Sequence, residues 1–150
     1  MPSFYQSVQS QFIQAPPERI YDALADWALR SQWRKGIQVE WKGNSQAFVG
    51  QEVTFKIKGL IFCYRIRFKV TGLEPPYRLY MEYFGKSLEG RHAIELTPEK
   101  EGCRVAFHWM KVNPVGVLAK LYFALGFGMR DHRIRVQETL GMLKEYVKKD

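Results

Sequence analysis

Cysteine is scarce in this sequence: 150 residues hold two, Cys63 and Cys103. Two thiols make no disulfide framework, and neither has the spacing of a metal-ligand pair. The pair reads as reduced thiols of a cytoplasmic chain. Long apolar runs are lacking too. The best stretch, residues 115–129, is broken by Lys120, Gly126 and Gly128 and is too short to cross a bilayer. Residues 1–14 are too polar for the centre of a secretory signal. No Ser/His/Asp order, paired inward carboxylates, glycine-rich phosphate loop or metal-ligand cluster appears, so neither a metal nor a cofactor is expected. Repeats, low-complexity tracts and linkers are absent as well, and 150 residues suit one domain whose core needs no covalent staple. Acidic residues are outnumbered, 15 against 23 basic, for a net charge of +8. That excess attracts nucleic acid, an anionic membrane or an acidic partner; the plain alternative is a solvated basic surface.

What is plentiful is aromatic side chain, 15% of the residues. Either the core is aromatic-rich or the rings line a pocket. The last third, residues 113–149, predicts the element around which the chain is organised. Asn113-Pro114 reads as a helix start, an Asn cap with proline at the first helical position. Leu118, Tyr122, Leu125, Met129, Val136, Leu140, Leu143 and Val147 then follow at steps of three or four, with one gap on the seam filled by His132.

Upstream, residues 8–15 predict a strand that Pro16-Pro17 stops. Ile20, Leu24 and Trp27 mark a short amphipathic helix opened by Pro17-Glu18, and residues 28–35 a second one, pairing Leu29 with Trp33 and ending at Gly36. Between Gly36 and Val112 the period falls to two: Ile37, Val39, Trp41; Val53, Phe55, Ile57; Phe62, Tyr64, Ile66, Phe68, Val70; Leu79, Met81, Tyr83; His92, Ile94, Leu96; Val105, Phe107, Trp109. This is the pattern of antiparallel strands with one dry and one wet face, joined by short Gly-, Asn- and Pro-bearing turns. The predicted fold is α+β: a curved antiparallel sheet of six or seven strands gripping a long C-terminal helix, with two short helices after the first strand.

That order of elements resembles the START-like superfamily (SRPBCC, the Bet v 1-like or helix-grip fold), and within it the polyketide cyclase/dehydrase branch. The local matches are APPERIYDALADW over residues 15–27 with Trp33 shortly after, VTGLEPPYRLY over 70–80, GCRVAF over 102–107, and the closing helix. These are packing and turn motifs, specific for fold and nearly silent on function. The resemblance implies a central cavity that holds lipids, sterols, hormones, quinones or polyketide intermediates in various members, a few of which catalyse cyclisation or dehydration.

The residues expected to face such a cavity are Phe55, Tyr64, Met81, Tyr83, His92, Phe107 and Trp109 from the dry sheet face and Leu125, Met129 and His132 from the helix seam, with Trp33 closing one mouth. The polar points would be His92, His132 and the hydroxyls of Tyr64 and Tyr83, enough to orient an apolar guest. The competing reading is that the same rings simply fill the interior. His132 has three open roles: satisfied structural residue, ligand contact or proton carrier. Asp131 sits about 100° around the helix and does not orient it; His108 falls on the wet face.

On that wet face, Lys56, Lys58, Arg65, Arg67 and Lys69 form a basic patch beside a hairpin tip, Gly59-Leu60-Ile61-Phe62, which suits docking on an anionic membrane. Nucleic acid is not expected, because the aromatics lie on the other face. The functional expectation is a monomeric or weakly dimeric cytoplasmic domain that binds a hydrophobic small molecule (lipid, isoprenoid, quinone or polyketide-like). The alternatives are a cyclase or dehydratase using His92 or His132, and a membrane-docking lipid or quinone carrier.

Overall fold

A computed structural model describes residues 4–148. The predicted first strand, shifted towards the N-terminus, and the six period-two segments become seven strands: β1 (Tyr5–Ile13), β2 (Ile37–Trp41), β3 (Glu52–Lys58), β4 (Cys63–Glu74), β5 (Arg78–Phe84), β6 (Leu88–Glu99) and β7 (Gly102–Pro114). All neighbours are antiparallel, in the order β1-β7-β6-β5-β4-β3-β2. Chain order thus runs across the sheet from β2 to β7, as short turns dictate, and β1 closes on β7. Register shifts at Val70/Gly72 and Glu89/Arg91 mark irregularities of the kind that bend strands and add twist. The sheet curls around the C-terminal helix as a result.

Two short helices, α1 (Pro17–Ala25) and α2 (Trp27–Trp33), follow β1. Pro17 opens α1 at a position where no N–H is needed, with Glu18 in its first turn. Asp26 caps α2, its Oδ1 accepting from the N–H groups of Ala28 at 3.0 Å and Leu29 at 3.2 Å. The Trp27 indole donates to Gln51 Oε1 at 2.8 Å, and the Gln51 amide donates in turn to the carbonyls of Lys42 and Asn44 at 2.9 and 2.7 Å. This buried chain ties α2 to the β2–β3 connection.

The C-terminal helix departs from expectation at its start. Asn113 and Pro114 are the last residues of β7, paired with Glu89 and Leu88, and Val115 N–H donates to the Ser87 carbonyl at 2.9 Å. A proline is tolerated at a strand end, where its missing donor is not required. Helix α3 (Val117–Ala124) then forms and stops at Leu125-Gly126, where Gly126 takes φ +89°, and α4 runs from Phe127 to Lys148. Lys149 lies outside the described residues. On α4 the seam is as the spacing predicts, with His132, Val136, Leu140, Leu143 and Val147 buried. On α3 it is not: Leu118 is 73% and Leu125 63% exposed, and the buried side chains are Tyr122 and Phe123. A Cβ on Gly128 would lie 2.4 Å from the Phe123 ring, so only glycine lets α3 fold this closely over the start of α4.

Candidate functional site

Where α3 and α4 bridge the bent sheet, a cavity of about 430 Å³ remains. Its floor is the dry sheet face: Phe55 of β3, Tyr64 of β4, Met81 and Tyr83 of β5, His92 of β6, Phe107 and Trp109 of β7. His132 and Val136 of α4 form one wall, and α3 supplies Ala119, Tyr122 and Phe123 above. Three expected residues lie elsewhere. Trp33 faces the gap between α2 and α4, stacking on Tyr146 at 6.2 Å and donating its indole N–H to the Ala23 carbonyl at 2.9 Å. Leu125 points outward from the break between α3 and α4, and Met129 packs half-buried against the core away from the cavity.

The polar points are more constrained than the sequence indicates. Tyr64 spends its hydroxyl on Asp131, donating to Oδ2 at 2.5 Å, while Arg135 Nε lies 3.2 Å from the other carboxylate oxygen. Burial raises the Asp131 carboxyl above its ordinary range, with Tyr64 and Arg135 opposing that shift. The latch holds the β3–β4 hairpin against α4 across 67 residues of chain. Asp131 therefore positions the hairpin and not His132, whose Nε2 lies 2.9 Å from Ser7 Oγ. The His132 ring stacks on Trp109 at 3.5 Å, and Trp109 donates its indole N–H to the Tyr83 hydroxyl oxygen at 2.8 Å. His92 donates from Nδ1 to the His108 carbonyl at 3.1 Å, which leaves its Nε2 as an acceptor.

Burial pushes both imidazoles down to about 3, helped at His92 by the charge of Arg30 and at His132 by His92. Burial also raises the Tyr83 hydroxyl. At neutral pH the cavity presents neutral imidazoles and three basic side chains that the sequence reading missed: Arg135, paired with Asp131, Lys86 at the exposed edge, and Arg30 of α2, which is 4% exposed. The signal for Arg30 was present: it stands three residues from both Trp27 and Trp33, on the face that α2 buries.

The wet face carries the expected basic residues, partly neutralised. Lys56 pairs with Glu40 at 3.0 Å and Arg67 with Glu52 at 3.6 Å, while Lys58, Arg65 and Lys69 stay exposed. His108 meets Glu95 there at 2.9 Å. Among the described residues no cluster of three His, Cys, Asp or Glu side chains could hold a metal ion, and no helix is long and apolar enough to cross a membrane.

The family model described as polyketide cyclase / dehydrase and lipid transport matches residues 5–148. The chain belongs to that family. Solved structures share its helix-grip fold at low identity. A Thermus thermophilus protein is 19% identical with a TM-score of 0.77, covering 95% of this chain and 97% of its own. A Mycobacterium smegmatis protein is 12% identical at 0.73, covering 100% and 94%, and one from Chromobacterium violaceum 18% identical at 0.71, covering 97% and 99%. Among curated proteins none matches the sequence significantly. Membership of the polyketide cyclase / dehydrase and lipid transport family suggests a ligand-binding or cyclase-like function for this chain.

Proposed function

We propose that the chain binds a hydrophobic small molecule, of the lipid, isoprenoid, quinone or polyketide class, between the sheet and α3–α4. The observation that carries this reading is the space itself: about 430 Å³ walled mainly by aromatic and aliphatic side chains, with a few polar groups to orient a guest. That lies within the range of small-molecule sites, roughly 300–1,000 Å³. Binding without chemistry is favoured over cyclase or dehydratase action because neither imidazole is poised near neutrality. A general acid or base works best with its pKa close to the working pH, and His92 and His132 are held down at about 3. Native mass spectrometry of freshly purified protein, followed by organic extraction, is expected to show a bound apolar compound that leaves chemically unchanged. Protein that carries nothing and takes up no lipid, isoprenoid, quinone or aromatic polyketide would overturn the reading.

One feature supports the carrier version. Val117, Leu118 and Leu121 of α3, Leu125 just beyond it, and Leu60, Ile61 and Phe62 of the hairpin tip are all exposed. The two segments are joined, Leu60 N–H donating to the Tyr122 hydroxyl at 3.1 Å and Phe62 packing on the Tyr122 ring at 4.8 Å. An apolar rim beside the entrance, with Lys58 and Lys120 next to it in sequence, suits contact with an anionic bilayer. Vesicles containing phosphatidylserine are expected to retain the protein at low salt and release the Leu118→Glu/Leu121→Glu variant; equal retention of both would remove this version.

A further inference from the structure

Two arginines of the α2 region are buried to nearly the same degree, Arg30 at 4% and Arg34 at 2% exposure. Arg34 is satisfied. It donates to Thr139 Oγ1 at 2.7 Å, to the carbonyls of Lys35 and Arg135, and pairs with Glu138 at 3.3 Å. Arg30 is not. Of its five N–H donors, one reaches the Leu24 carbonyl at a long 3.4 Å, and Nε has no partner at all. Among the described residues no carboxylate pairs with it. Its guanidinium carbon lies 5.6 Å from the centre of the Trp27 ring and 5.2 Å from that of Phe55, contacts that hold the group but do not neutralise it. A buried charge left without a counter-ion is costly, and chains retain one mainly where something else supplies the opposite charge.

Arg30 belongs to the cavity wall. The other basic groups on that wall are differently placed: Arg135 is paired with Asp131 and Glu138, and Lys86 is exposed at the rim. We propose that Arg30 is the receptor for an anionic head, and that the natural ligand is an amphipathic organic acid whose carboxylate sits on the Arg30 guanidinium while its apolar body fills the space beneath α3. This rests on the small-molecule reading above and adds the ligand's charge and orientation. A carboxylate fits better than a phosphate monoester, because one unpaired cation balances a monoanion but not a dianion, and the planar fork meets both carboxylate oxygens at once. Burial and the neighbouring Arg34 lower the guanidinium to about 9, which still leaves it charged at neutral pH. Beyond the head, Ile37, Ile57, Met81 and Phe107 offer only apolar surface. His92 Nε2 is left free to accept from a hydroxyl on the guest, since its Nδ1 donates to the His108 carbonyl.

The test compares laurate, methyl laurate and lauryl alcohol by tryptophan-fluorescence titration and calorimetry on the whole protein and on Arg30→Met. Laurate is expected to bind the parent about 10–100-fold more tightly than the ester or the alcohol, a gap worth one charge-assisted pair. Arg30→Met, which removes an unsatisfied charge from an apolar setting, is expected to fold and to erase that preference while keeping affinity for the ester. Equal binding of acid, ester and alcohol to the parent overturns the anionic-head proposal but leaves the small-molecule reading intact; binding of none of the three overturns the anionic-head proposal, and the small-molecule reading is then decided by the extraction and uptake tests above. If the methionine variant fails to fold, NMR of carboxyl-labelled laurate bound to the parent decides. A carboxyl that stays ionised to lower pH than free laurate supports the proposal, and one that titrates at or above its free value overturns it.

Discussion

Acid should unfold this protein through its cavity, and the effect can be worked out in advance. His92 and His132 are each 8% exposed and fall from 6.5 in the unfolded chain to about 3 in the folded one. Between those values the unfolded chain binds more protons than the native state, so stability rises with pH across the window and is lost as pH falls through it. By about pH 4.5 each histidine withdraws roughly 2–3 kcal/mol relative to neutral pH, and the two together on the order of 5 kcal/mol. That is a large part of the 5–15 kcal/mol typical of a domain. Asp131 acts in the opposite sense: burial raises its carboxyl, so its share of stability falls as pH climbs from 3.8.

Comparison of the parent with His132→Gln isolates one imidazole, because every other group titrates in both. At neutral pH the variant should be less stable by about 1.5 kcal/mol, from the lost stack on Trp109. Its stability should then fall less steeply on acidification, by about 1.4 kcal/mol per pH unit, so that the two curves cross between about pH 5 and 6. Urea unfolding followed by far-ultraviolet circular dichroism at several pH values between neutrality and about pH 4.5 reads this directly. Parallel curves would mean that His132 is not held neutral by burial, and the electrostatic description of the cavity would fail with it.

Three further outcomes follow from the packing. Leu140→Ala, at a side chain with 0% exposure, is expected to cost about 2–5 kcal/mol in urea unfolding, whereas Leu118→Ala and Leu125→Ala should stay within about 0.5 kcal/mol; a costly Leu125 variant would contradict the break between α3 and α4. Tyr64→Phe removes the donor 2.5 Å from Asp131 Oδ2 and should cost about 1–3 kcal/mol, with amide exchange rising in the β3–β4 hairpin. Gly128→Ala puts a methyl group 2.4 Å from the Phe123 ring, so about 1–3 kcal/mol should be lost and amide exchange should quicken along α3; unchanged exchange there would show that α3 does not lean on α4 as described.

The strand pattern was readable because the strands after β1 each bury one face, so parity in the sequence is parity in space: His92 falls inside and His108 outside, as alternation requires. The α4 seam was readable for the same reason at a period of 3.6. What periodicity misread was α3, whose leucines sit at core spacing yet face outward beside the cavity entrance. Spacing says which residues share a side of a helix, but not which side meets the sheet. Trp33 and Met129 share a helix face with Arg30 and with His132, which line the cavity, yet lie outside it, because spacing does not say how far along a helix the space extends; Tyr64 lost its free hydroxyl to a residue 67 positions away.

The sequence by itself determined the order of elements, the dry and wet faces of the sheet, and the placing of most of the aromatic floor, because these follow from local alternation and turn chemistry. The split of the last helix, the burial of Arg30 without a counter-charge and the volume left between sheet and helix were decided by tertiary structure alone. Each depends on how close residues distant in the chain come to one another, and the energy of an unpaired charge or an unfilled space belongs to the surroundings and not to the residue.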